Sequence, residues 1–198
     1  KPGAGKSTLL LQVAQDIASQ GKKVLYASGV ESDSQIKSRA GRILKNISEN
    51  IWILADNSMD AVLHQVDVID PELIIIDSIQ TFTLEEQMPS RAGSPTQTME
   101  CANAMVRIAK NKAKPRAVIF VGQMNKNEEM AGLRALEHLV DTVLIIEGDS
   151  DEELRELQSS KNRFGSTGEM GFFTMTEEGL VSIDNPSEYF MTIRDEKD

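Results

Sequence analysis

The sequence predicts an α/β fold: three layers, α/β/α, around a mostly parallel central sheet, with an antiparallel extension towards the C-terminal end. Three observations carry this expectation. Across residues 5–123, short apolar runs alternate with stretches whose apolar residues recur at helical spacing. One of the runs, Leu73–Asp77 (LIIID), is apolar without alternation, as befits a strand covered on both faces. After residue 141 the helical period fades and strand-like runs follow one another.

Each element has its own signal. A first helix is expected from Gly5 to Gly21, where Leu9, Leu10, Val13 and Ile17 form one stripe. Lys23–Ser28 (KVLYAS) reads as a strand. Ser32 with Gln35 three residues on makes a capping-box pattern, and Ile36, Ala40 and Ile43 give the next helix its buried side. Ile51–Leu54 is a short strand, and Ser58 to Asp70 a helix with Val62, Val66 and Ile69 on one face. Thr81–Ala92 is polar and irregular, long enough for a functional loop. Ser94 as N-cap and Pro95 at the first helical position open a helix running to about Lys112. Ala117–Gln123 is a buried strand and Asn125–Arg134 a second polar loop. Strands are expected at Asp141–Glu147, Leu154–Ser160, Gly171–Met175 and Leu180–Ile183, the last two joined by a turn at 176–179.

Composition narrows the function classes. The 198 residues carry 21 basic and 31 acidic side chains, a net charge of −10, with 40% hydrophobic and 26% charged residues. That is a globular composition, of a length one hydrophobic core can serve, and no repeat or composition break marks a boundary, so one domain is expected over residues 1–198. Apolar runs fall well short of the roughly 20 residues a bilayer demands. One cysteine excludes an internal disulfide, two histidines make a structural zinc site hard to build, and the N-terminus is no signal peptide, so a cytoplasmic location is expected. Basic groups gather in residues 1–46 and 104–146, acidic ones in 47–103 and 147–198. Nucleic acid would therefore have to be bound through a local basic patch rather than the net field.

The strongest chemical signal is the opening Lys1-Pro2-Gly3-Ala4-Gly5-Lys6-Ser7-Thr8. It supplies all of the phosphate-binding pattern G-x-x-x-x-G-K-[ST] except the first glycine, which would fall just before Lys1 with the strand that usually precedes it. Residues 2–8 form the ATP-binding loop, in which Gly3 and Gly5 let the backbone curl so that its N–H groups meet phosphate oxygens. Lys6 delivers charge to the β- and γ-phosphates, Ser7 joins the Mg²⁺ shell, and the following helix turns its positive end to the anion. Asp77, ending the buried strand, is the second acid such a site needs, holding Mg²⁺ through water. Together these predict a nucleoside triphosphatase using ATP and Mg²⁺.

From Lys1 to about Arg194 the chain resembles the ATPase core of the bacterial RadA (Sms) DNA-repair family, relatives of the RecA recombinase. The resemblance is carried by PGAGKSTLLLQVA, VLYASG…ES…QIKSRA, IIIDSIQT, LEHLVDTVL and, above all, Lys161-Asn162-Arg163-Phe164-Gly165 (KNRFG). It implies a RecA-like fold and an ATP-driven motor on single-stranded or branched DNA that moves branches during homologous recombination. It also implies a homo-oligomeric, hexameric ring and a RecA recombinase as a partner. Family members normally add a zinc finger before this core and a Lon-protease-like domain after it, and neither falls within the sequence. KNRFG is implied to act across a subunit interface at a neighbour's ATP, or toward DNA, and Lys126 and Arg134 lie on the loop where RecA relatives contact DNA.

The departures are specific. The family reads S-G-E-E-S where this chain has Ser28-Gly29-Val30-Glu31-Ser32, so the glutamate that orients the attacking water is Val30. Glu31 must substitute from the next position or fail, and slow hydrolysis is expected. Gln123 stands where RecA and replicative helicases sense the γ-phosphate. Ala92-Gly93-Ser94-Pro95 replaces P-G-S-V, and Leu133 a loop proline. Cys101 and Trp52 read as packing residues, as does His138. The competing reading is a regulatory ATP-binding switch similar to the KaiC group, acting on protein partners.

Overall fold

Val24–Ser28 (β1) and Leu73–Asp77 (β3) are buried at every position and lie side by side as parallel strands. The computed structural model describes residues 5–122, 134–147, 154–162, 170–176 and 179–182, with side chains as far as residue 144. Ile51–Ala55 (β2) pairs with the other edge of β1, and Ala117–Val121 (β4) with β3, giving a parallel sheet in the order β2-β1-β3-β4.

Strand side chains alternate faces, and the alternation sorts the core into two halves. Val24, Tyr26, Leu73 and Ile75 face helices α1 (Lys6–Ser19) and α2 (Asp33–Ile43), packing on Leu10, Leu11, Ala14, Ile36 and Ala40. Leu25, Ala27, Ile74 and Ile76 face α3 (Met59–Ile69) and α4 (Pro95–Ala109), packing on Met59, Val62, Val66, Cys101 and Met105. Two helices on each side of a parallel sheet give the predicted three layers.

The helix ends follow the sequence signals. Ser32 accepts from Gln35 N while the Gln35 side chain returns to Ser32 N, completing the capping box. Ser58 and Ser94 cap α3 and α4, with Pro95 in the first turn. Gly21 closes α1 at φ +84°. Helix α4 stops at Ala109, short of the expected Lys112, because Asn111 Oδ1 captures the main-chain N–H of Ala113 and turns the chain.

The connection after β3, expected to be an irregular polar loop, is packed down. Ile79, Phe82 and Leu84 are buried, with 3-10 turns at Ile79–Thr81 and Glu85–Gln87. Gln97 on α4, fully buried, holds the segment by its main chain: it accepts from Leu84 N and donates to Leu84 O and Ser90 O. Polar sequence here reflects a side-chain clamp, which an average over hydropathy does not show.

Two compact units divide the chain, residues 7–140 and residues 141–198 together with residues 1–6. The strands of the second unit form a sheet of their own, an antiparallel meander of β5 (Thr142–Glu147), β6 (Leu154–Asn162), β7 (Met170–Thr176) and β8 (Gly179–Ser182). Thr176 pairs with Gly179, in line with the turn predicted at 176–179. Cys101 is buried and Trp52 packs at the edge of the α3/α4 half of the core, both as expected. His138 is a correction: it is exposed on the turn at 137–139, and Leu136 does the packing. No helix among the described residues is long and apolar enough to cross a membrane.

Candidate nucleotide site

The strands β1 and β3 are neighbours, but β1 hands on to β2 on one side while β3 hands on to β4 on the other. In an open parallel sheet the carboxyl ends of such a pair border the crevice where ligands bind. Ser28 and Asp77 are register partners at those two ends. A groove of about 470 Å³ between α1 and the end of α2, lined by Gln12, Asp16, Ile43 and Lys45 among others, includes neither Ser28 nor Asp77.

Helix α1 begins at Lys6, directly after Gly5, whose φ of +96° only glycine adopts without strain. Ser7, in the first turn of α1, donates from Oγ to Asp77 Oδ2 at 2.8 Å. Asp77 is 4% exposed, and a second hydroxyl reaches the same oxygen: Tyr26 donates to Oδ2 at 2.8 Å. Burial pushes the Tyr26 phenol far above its ordinary value, and the Asp77 carboxylate adds to the effect, so Tyr26 is a neutral donor near neutral pH. Tyr26 in turn accepts from Arg39 Nη2 at 3.3 Å, and Arg39 Nη1 lies 2.6 Å from each Glu31 carboxylate oxygen.

The predicted residues therefore divide. Ser7 and Asp77 are brought together, and Gly5 and Lys6 stand at the helix start as the motif demands. Glu31 sits just past β1, its carboxylate gripped by Arg39 and its main-chain N–H donated to Ser28 Oγ. Val30 is 69% exposed. Thr8 lies within α1. Lys161 and Asn162 close strand β6, in register with Val143 and Thr142, two residues beyond the predicted strand end. Arg134 is exposed. Pro2, Gly3, Ala4, Gln123, Lys126, Arg163, Phe164 and Gly165 lie outside the described residues.

Sequence reading missed Tyr26 and Arg39. The signal for Tyr26 was parity: in an otherwise apolar buried strand, it shares a face with the strand-end residue Ser28. Without knowing that β3 adjoins β1, nothing connects that hydroxyl to Asp77. Arg39 lies beside the buried stripe of Ile36 and Ala40, where a cation needs partners.

The donor set fits the group that the motif implies. A serine hydroxyl and a buried carboxylate 2.8 Å apart are hard oxygen donors of the kind Mg²⁺ takes alongside phosphates and water. A helix N-terminus entered through a left-handed glycine suits a phosphate. Fold and site together define a RecA-like core of the P-loop class. The KaiC-like protein PH0186 from Pyrococcus horikoshii shares that fold, with a TM-score of 0.67 over 92% of this chain and 85% of its own, at 16% identity. No protein-family model matches the chain. Three curated relatives narrow the class: the DNA repair proteins RadA of Listeria monocytogenes (46% identical over 98% of this chain), Bacillus subtilis (43% over 98%) and Campylobacter jejuni (44% over 96%). The chain belongs to the RadA family, and it spans 41–42% of the length of these relatives.

Proposed function

We propose that the chain is an ATP-hydrolysing core serving DNA repair, a motor on single-stranded or branched DNA that assists recombination by moving branches. The observation that carries the ATPase part is the Ser7–Asp77 contact immediately behind Gly5-Lys6. Membership of the RadA family supports the DNA-repair part. In this reading Lys6 and the main chain of residues 2–8 bind the phosphates, and Ser7 and Asp77 hold the metal. Magnesium, when bound, offsets the charge that builds on the transferring phosphoryl group. Glu31 orients the attacking water in place of the absent glutamate, and Gln123 senses the γ-phosphate. Arg39 holds the Glu31 carboxylate and weakens it as an acceptor for water, a second reason besides Val30 for slow turnover.

The remaining assignments follow the same reading: a cytoplasmic hexameric ring, a RecA recombinase as partner, DNA contacts from Lys126 and Arg134, and KNRFG acting on a neighbouring subunit's nucleotide or on DNA. Mixing Lys161→Ala with Lys6→Ala chains tests the last of these, since a mixed interface restores activity only if Lys161 serves a neighbour.

The deciding assay is ATP hydrolysis with and without single-stranded DNA. Stimulation by DNA is expected. Hydrolysis indifferent to DNA favours the KaiC-like regulatory alternative, because the shared fold suits both. No hydrolysis under either condition removes the ATPase assignment.

A further inference from the structure

Register pairs Tyr26 with Ile75 and Ser28 with Asp77, so Tyr26 and Asp77 are diagonal neighbours on one face of adjacent strands. A phenol has one proton to give. Tyr26 donates it to Asp77 Oδ2, the oxygen that also accepts from Ser7, and so can only accept from Arg39. The guanidinium holds several donors in a fixed fork, which lets Nη2 serve Tyr26 while Nη1 serves both oxygens of Glu31. Arg39 Nε is buried and makes no hydrogen bond, so packing and these two partners fix the side chain.

We propose that Tyr26 and Arg39 are positioning residues for the metal site: Tyr26 aims the Asp77 carboxylate, and Arg39 ties that phenol to Glu31 in one hydrogen-bonded path. A carboxylate met by one donor swings about its bond to the chain. A second donor from the neighbouring strand restrains the plane in which it faces the ion. Such outer partners tune metal affinity without touching the metal. The path runs from the first turn of α1 through β3, β1 and α2 to the turn after β1, so the metal ligand and the acid beside Val30 are held by one chain of contacts. The inference rests on the nucleotide reading of this same site.

The test measures binding of a fluorescent ADP analogue to the intact protein as Mg²⁺ is raised, with a parallel titration in EDTA. Tyr26→Phe keeps the buried ring and removes only the hydroxyl. The Mg²⁺ concentration for half-saturation is expected to rise about 10- to 100-fold, with affinity in EDTA unchanged. Arg39→Lys, which loses the fixed fork that reaches both acceptors, is expected to shift it in the same direction by less. The double variant should be no worse than Tyr26→Phe alone, because both break one path. Should Tyr26→Phe fail to fold, Arg39→Lys carries the test. A wild-type Mg²⁺ requirement in whichever variant folds overturns the proposal alone. Wild-type protein that shows no Mg²⁺-dependent nucleotide binding overturns the nucleotide reading itself.

Discussion

Ser7 and Asp77 are 70 positions apart in sequence, yet the Ser7 hydroxyl donates to Asp77 Oδ2 at 2.8 Å. The contact exists because the first turn of α1 packs over the end of β3, on the face that Tyr26 and Ile75 also share. It puts the two hard oxygen donors of the site together in the protein itself.

The exposed Val30 is the simplest place to change the chemistry. At 69% exposure a glutamate is accommodated there without packing cost. Val30→Glu is expected to raise kcat by about 100-fold, the low end for a group that positions or activates water, with ATP affinity little changed. Glu31→Gln is expected to silence most of the residual hydrolysis. Steady-state kinetics on both variants checks this; unchanged kcat in each would remove the water-orienting roles.

Gly29 marks where the turn after β1 meets the turn after β3. A Cβ at this position would stand 2.2 Å from Thr81 Oγ1 and 3.0 Å from Thr81 Cβ. The Thr81 hydroxyl is itself committed, donating to Ser78 O at 2.7 Å. Gly29→Ala is therefore expected to cost about 1–3 kcal/mol in urea unfolding, typical of overpacking. Adding Thr81→Ala should recover part of the loss by removing the nearer atom. A Gly29→Ala protein as stable as wild type would contradict this packing.

How much of this was open to a reader of the sequence depends on the range of each interaction. The caps at Ser32, Ser58 and Ser94 are local, and their side chains satisfy donors within three residues. Asp77 was recognisable because LIIID ends in a charge at a set distance behind a phosphate loop. Tyr26 and Arg39 were not, because their partners are set by the order β2-β1-β3-β4 and the α2 packing, which no local pattern encodes. The Gln97 clamp escaped for the same reason: its acceptors and donor lie seven to thirteen residues away in a stretch with no period.

Asp70 offers a pH-dependent test away from the site. It ends α3 in the left-handed conformation, φ 58°, and its carboxylate meets Lys114 and Arg116 at 2.7 Å each. Hydrogen bonds from Lys114 and then Arg116 hold its carboxyl below the ordinary value. A lowered folded value means the stabilisation is complete above the ordinary carboxyl value of about 3.9 and is lost as pH falls through the lowered one. Asp70→Asn keeps a residue that tolerates this backbone and removes the charge. The gap in melting temperature between wild type and Asp70→Asn should close in acid, and narrow with added salt because Asp70 and Lys114 are exposed. A gap independent of both pH and salt would show that the ion pairs contribute nothing.

In the proposed nucleotide site Asp77 and Ser7 form the metal half, and Asp77→Asn is its sharpest test. Asparagine keeps an oxygen to accept from Ser7 and Tyr26 while removing the charge that a divalent ion needs. The measurement is nucleotide affinity with and without Mg²⁺, alongside ATP turnover, for wild type and Asp77→Asn. The expected result is metal-free nucleotide binding retained in the variant, with both the Mg²⁺-dependent gain in affinity and hydrolysis lost. An Asp77→Asn protein that responds to Mg²⁺ and turns over ATP as wild type does would contradict the account.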